Sequence, residues 1–105
     1  MTKEELTAWA LANGWQHRAG TLSLGKPNKP TEAIVRLIFK TGVVHLEVKK
    51  PAGKWEKLGG APYKNILPHP DTNLPTNLSL DTIPGFTQLM RANQDQQAMA
   101  GLSKP

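Results

Sequence analysis

The sequence predicts an α+β domain: a two-layer sandwich with an N-terminal helix, an antiparallel three- to four-stranded meander, a long Pro-rich loop and a C-terminal helix. Three observations predict it. "TKEELTAWALANG" has capping-box spacing between Thr2 and Glu5 and closes on Asn13 and Gly14, the signature of a short helix. "IVRLIFKTGVVHLEVKK", residues 34 to 50, alternates apolar and charged side chains on either side of one glycine, which is hairpin periodicity. Phe86, Leu89 and Met90 recur at i, i+3 and i+4, the apolar stripe of a second helix. One sheet face and two helix stripes close on each other, and the result is two layers.

In the first helix Leu6, Trp9 and Ala10 share a face, with Trp9 as a core anchor. "WQHRAGTLSLGK" then alternates up to Gly20 and resumes with Leu22 and Leu24, a pattern that fits one strand or a short hairpin. "GKPNKPTE", with two prolines and a glycine, reads as a mobile basic loop carrying Lys26 and Lys29.

The central hairpin follows from its turn. If Thr41 and Gly42 form a two-residue loop, Phe39 pairs with Val44, Leu37 with Leu46 and Val35 with Val48, all apolar and on one face. The same register sets Arg36 against Glu47 and Ile38 against His45 on the other face, and the ion pair supports it. A three-residue loop mixes the two faces. Pro51, Ala52 and Gly53 make the next turn, leading into a strand with Trp55 and Leu58 that ends at Gly59, Gly60 and Pro62.

Residues 65 to 85 contain four of the nine prolines and read as an extended wrapping segment anchored by Ile66, Leu67, Leu74, Leu78 and Leu80. Asp81 or Thr82 is the expected cap of the second helix. Apolar periodicity is lost from Asn93. Residues 1–92 therefore read as a single domain and residues 93–105 as a frayed or disordered tail.

The 105 residues suffice for one small core. With no cysteine, disulfides, thiolate metal sites and cysteine nucleophiles are excluded. The acidic N-terminal stretch lacks a signal peptide's basic region, and no apolar run approaches the roughly 18 to 20 residues of a membrane span, so a soluble cytoplasmic protein is expected. The expectation is a small accessory protein of a bacterium or phage.

His17, His45 and His69 match no metal-ligand spacing, no serine elbow is present, and "GTLSLGKPNKP" lacks the spacing of a phosphate loop. No cofactor and no metal are expected, and the reading is non-enzymatic. The charge is more informative. The net charge is +5, but residues 14 to 64 hold ten basic side chains against Glu32, Glu47 and Glu56, whereas both flanks are slightly acidic. A field of that kind attracts polyanions.

Strand alternation collects Ile34, Arg36, Ile38, Lys40, Val43, His45, Glu47 and Lys49 on the outward sheet face, with Lys50, Lys54 and Lys57 adding charge. The candidate nucleic-acid-binding residues are Arg36, Lys40, Lys49, Lys50, Lys54 and Lys57. The leading expectation is a module that binds nucleic-acid backbone through this face. The alternative is a protein-interaction or self-association module that uses the outward aliphatics Ile34, Ile38 and Val43 or an edge strand. Base-stacking platforms display aromatics, and here only Trp55 or Tyr63 is placed to serve.

The order helix, Gly14-Trp15, strands, "LPHPDTNLP" and final helix is similar to that of HicA-type RNA-cleaving toxins, whose fold resembles a double-stranded-RNA-binding domain. That family carries its active histidine in a Gly-Ser-His run on the first strand, where this chain has Gly20, Thr21 and Leu22. The resemblance implies the toxin topology without the active histidine. His17, on the other side of the glycine, and His69 are the residues left to test for cleavage.

Overall fold

The computed structural model describes residues 1–102. It has an N-terminal helix, a five-stranded antiparallel sheet in the order β1-β2-β3-β4-β5, and a C-terminal helix. Helix α1 (Lys3–Ala12) starts at the expected capping box: the Glu5 amide donates to Thr2 Oγ1 at 3.1 Å and the Thr2 amide to Glu5 Oε1 at 2.8 Å. It stops where Gly14 turns left-handed at φ 92° and the Trp15 amide reaches back to the Ala10 carbonyl at 3.0 Å. Gly14 could not be another residue, because a Cβ there would lie 2.8 Å from the Met90 carbonyl oxygen.

The meander has five strands where the sequence predicts three or four. The first hairpin accounts for the difference, and the turn after it is shorter than expected. Residues 15–24 fold as a short hairpin, β1 (Gln16–Arg18) and β2 (Thr21–Lys26), around Ala19 and Gly20, both at positive φ. The expected mobile loop at Gly25–Glu32 is absent, because Lys29 already begins β3 (Lys29–Phe39) and only Pro27 and Asn28 turn the chain.

Between β3 and β4 (Val43–Lys49) the register is the predicted one, from Val35↔Val48 to Phe39↔Val44. Val35, Leu37, Val44 and Leu46 are buried on the inner face and Phe39 and Val48 are partly buried. Strand β5 (Trp55–Pro62) completes the sheet beyond the turn at Pro51, Ala52 and Gly53.

The core lies between this inner face, both helices and the wrapping segment. Trp15 is fully buried, with ring centroids 6.4 Å from Trp9 and 6.3 Å from Phe86. Ile66, Leu78 and Leu80 anchor the segment as expected and Leu74 packs against the core, but Leu67 is 59% exposed. Tyr63 ties the segment's start to the central turn: its hydroxyl donates to the Lys40 carbonyl at 2.9 Å, its ring stacks on Phe39, and its amide donates to Gly42.

Neither Asp81 nor Thr82 caps the second helix. They sit in a 3-10 turn at Leu80–Thr82, and Pro84 holds the preceding Ile83 extended, so α2 (Phe86–Leu102) starts only after Gly85. The helix also continues past Asn93, where the sequence predicts a tail. Its polar residues explain why: the amide nitrogens of Gln94, Gln96 and Gln97 donate to carbonyls of Ala12, Pro27, Gly14 and Trp15. Asn93 is 2% exposed and both accepts from the Gly25 amide at 2.9 Å and donates to the Gly25 carbonyl at 3.0 Å. Amides have replaced apolar side chains as the docking groups. Residues 103–105, the end of the predicted tail, lie outside the described residues.

Candidate nucleic-acid interface

The wrapping segment and the apolar stripes of both helices pack on the inner side of the sheet, and the outer side carries half-exposed or exposed residues with the exception of Ser23. Pairing places Gln16 beside Ser23, Ser23 beside Arg36, Arg36 beside Glu47 and Glu47 beside Lys57 in one row across the sheet. A second row holds Ile38, His45 and Gly60, where the absent Cβ leaves room for the imidazole.

Arg36 is the best-held cation on this face. Its Nε and Nη2 donate to Glu47 Oε1 at 2.8 and 2.7 Å, and its guanidinium carbon lies 4.0 Å from the centre of the Trp55 ring. The side chains of Arg36 and Glu47 are 28% and 19% exposed, so the pair is partly shielded from water. The arrangement neutralises Arg36 and covers one face of the Trp55 ring, which leaves less of that ring open for stacking. Lys50 pairs with Glu56 at 3.0 Å, and both side chains are about half exposed.

The other candidate cations differ. No ion pair holds Lys40, Lys49, Lys54 or Lys57 among the described residues. Lys40 flanks the β3–β4 turn, Lys49 ends β4, Lys54 sits in the β4–β5 turn and Lys57 lies on β5 opposite Glu47. At about 3.3 Å per residue along β4, they span roughly 20 Å from one end of the sheet to the other. Arg18 of β1, its guanidinium donating to Gln16 at 3.2 Å, adds a cation on the same side that the sequence did not single out. The signal for it was the pairing of β1 with β2, which places Arg18 opposite Thr21.

Ile34 does not join this face. It is the residue left over in β3 where the register steps from Leu24↔Val35 to Gly25↔Ala33, and it packs against the core instead. Ile38 and Val43 keep their expected outward places, half-buried among polar neighbours.

The three histidines lie apart. His17 is exposed on the edge strand β1, His45 is on the outer face, and His69 Nδ1 accepts from the amides of Asp71 and Thr72 at 3.1 and 3.3 Å. Among the described residues no group of three His, Asp or Glu side chains is placed to hold a metal ion. No described helix is long and apolar enough to cross a membrane. Compared with protein-family models, with curated proteins and with solved structures, the chain matches none.

Proposed function

We propose that this is a non-enzymatic module that binds the backbone of a nucleic-acid duplex through the outer face of its sheet. The observation that carries the reading is a sheet face left open by the helices, with Lys57 on it, Lys49 at the end of β4 and Lys40 and Lys54 in the turns at its two ends, none of them held in an ion pair among the described residues. Lysines free of internal pairs release counterions when they meet phosphates, and that release drives sequence-independent binding. Arg36 belongs to this face, but its contribution is reduced by Glu47; Lys50 is paired with Glu56, which lies opposite Val48 and so on the side of β5 away from Arg36. Because Arg36 already occupies one face of the Trp55 ring, a duplex backbone suits the face better than unstacked bases do.

The test is the salt dependence of binding to a short RNA or DNA duplex. Four phosphate contacts give a log–log slope of about −4, and changing Lys40, Lys54 and Lys57 together to Gln reduces its magnitude by about 3. Binding that ignores salt, or that survives the triple change, refutes the reading. Bulk RNA should remain uncleaved by the purified protein; cleavage abolished by His17→Ala or His69→Ala would favour the toxin-like alternative.

The protein-interaction reading rested on three outward aliphatics. Ile38 and Val43 keep it open, whereas Ile34 now belongs to the other side of β3.

A further inference from the structure

Of the three places where the register of the sheet shifts, two leave a single aliphatic side chain over. Ile34 is the extra residue between β2 and β3, and Leu58 is the extra residue between β4 and β5, where the register steps from Leu46↔Gly59 to Glu47↔Lys57. Bulges re-aim side chains. These two aim theirs at one place: Ile34 and Leu58 line a single cleft of about 550 Å³, together with Val48 from the sheet and Ile83, Pro84 and Leu89 from the entry to α2. Leu58 is 38% exposed there, so this space is open to solvent, while Val35 and Leu89 of the core also line it.

The polar groups of the cleft have one sign. Lys49, the last residue of β4, lines it as well as bordering the outer face; no ion pair holds it among the described residues, and no Asp or Glu is among the described residues that line the cleft. Helix α2 has no acid in its first turn, so its N-terminal amides add positive potential where Gly85 and Gln88 border the cleft. A neighbouring cleft shares Ile34 and Lys49 and adds Lys26 and Lys50. The nearby acids Glu32 and Glu56 are held by those two lysines at 2.9 and 3.0 Å, and Asp81 is exposed on the 3-10 turn before Ile83.

We infer that this cleft binds a small amphipathic anion, with an apolar body of medium chain length between Ile34, Leu58 and Leu89 and a carboxylate at Lys49. The volume lies within the roughly 300–1,000 Å³ of small-ligand sites, and the charge at the rim is one free lysine rather than a stripe, which suits a small molecule better than a peptide.

The test is a titration of the labelled full chain with decanoate, decanol and decyltrimethylammonium, each below its micelle-forming concentration, followed by amide and methyl shifts. Decanoate should give saturable single-site shifts at Ile34, Val48, Leu58 and Leu89. Decanol should bind about fivefold more weakly, the worth of one half-exposed charge contact, and Lys49→Gln should bring decanoate down to the same affinity. Leu58→Glu should abolish binding with the core spectrum unchanged; should the acid disturb the fold, Leu58→Ala serves in its place and weakens binding severalfold. Equal binding of all three amphiphiles, shifts without saturation, or full binding by the folded Leu58 variant would overturn the inference. Concentration-dependent shifts at the same residues without any amphiphile would overturn it in favour of a second copy of the chain.

Discussion

Single residues carry several parts of this structure. Asn93 satisfies both backbone groups of Gly25 and also donates to the Leu89 carbonyl at 2.9 Å, so Asn93→Ala strands a buried amide and a buried carbonyl. The expected cost is about 2–4 kcal/mol, read from chemical denaturation. Ala19 is held at φ 48° beside Gly20 in a two-residue turn that favours Asn or Gly. Ala19→Asn should therefore stabilise the protein, by up to about 1 kcal/mol, with no change elsewhere in the amide spectrum. Glu47 is the residue whose change separates structure from function most cleanly. Glu47→Gln releases the Arg36 guanidinium, so duplex affinity should rise severalfold and the salt slope steepen by about 1 even as the strand pair weakens. Unchanged affinity would mean that Arg36 faces no phosphate.

At the scale of elements, α2 decides how large the domain is. Its amide-bearing end docks on the α1 exit and the β2–β3 turn, so truncation after residue 92 should lower the thermal midpoint by several degrees or more and expose Trp15 to quenching. A truncated protein as stable as the full chain would return residues 93–102 to the role of a tail. The sequence could not disclose this docking, since its Gln and Asn side chains look the same whether they bond to water or to a carbonyl. The β3–β4 hairpin was legible for the opposite reason: Thr41-Gly42 sets the turn, six apolar residues must share one face, and only one register meets both conditions. The bulges at Ile34 and Leu58 were hidden because a bulge belongs to a strand pair, and strict alternation within one strand contains no trace of it. The cap of α2 was misplaced for a local reason that was visible: Pro84 forbids its predecessor the helical conformation.

For the molecule as a whole, the proposed function rests on charge and its placement. Internal pairing divides the positive excess of residues 14 to 64 into paired cations, Arg36, Lys26 and Lys50, and cations that no ion pair holds among the described residues. Of the six candidate site residues, four remain available, which the sequence alone could not decide because pairing depends on side-chain geometry. The pairs also set the response to acid. A hydrogen bond from the Thr2 backbone holds the Glu5 carboxyl below the usual glutamate range, and a hydrogen bond from Lys26 does the same for Glu32. Both groups bind protons less tightly folded than unfolded, so their stabilisation is present above the usual range and is lost as pH falls through the lowered values. Thermal midpoints should decline with acidification through that window, and a Glu5→Gln, Glu32→Gln double variant should decline less steeply.

The central claim, that the open sheet face is a polyanion contact surface, is tested most directly by an amide-correlation titration with a short RNA duplex at low and high salt. Shifts are expected at Lys40, Lys49, Lys54 and Lys57 and along the Arg18–Arg36–His45 side of the sheet, shrinking as salt rises, with Trp9, Trp15 and α1 undisturbed. Shifts confined to the helices, or no shifts at low salt, would contradict it.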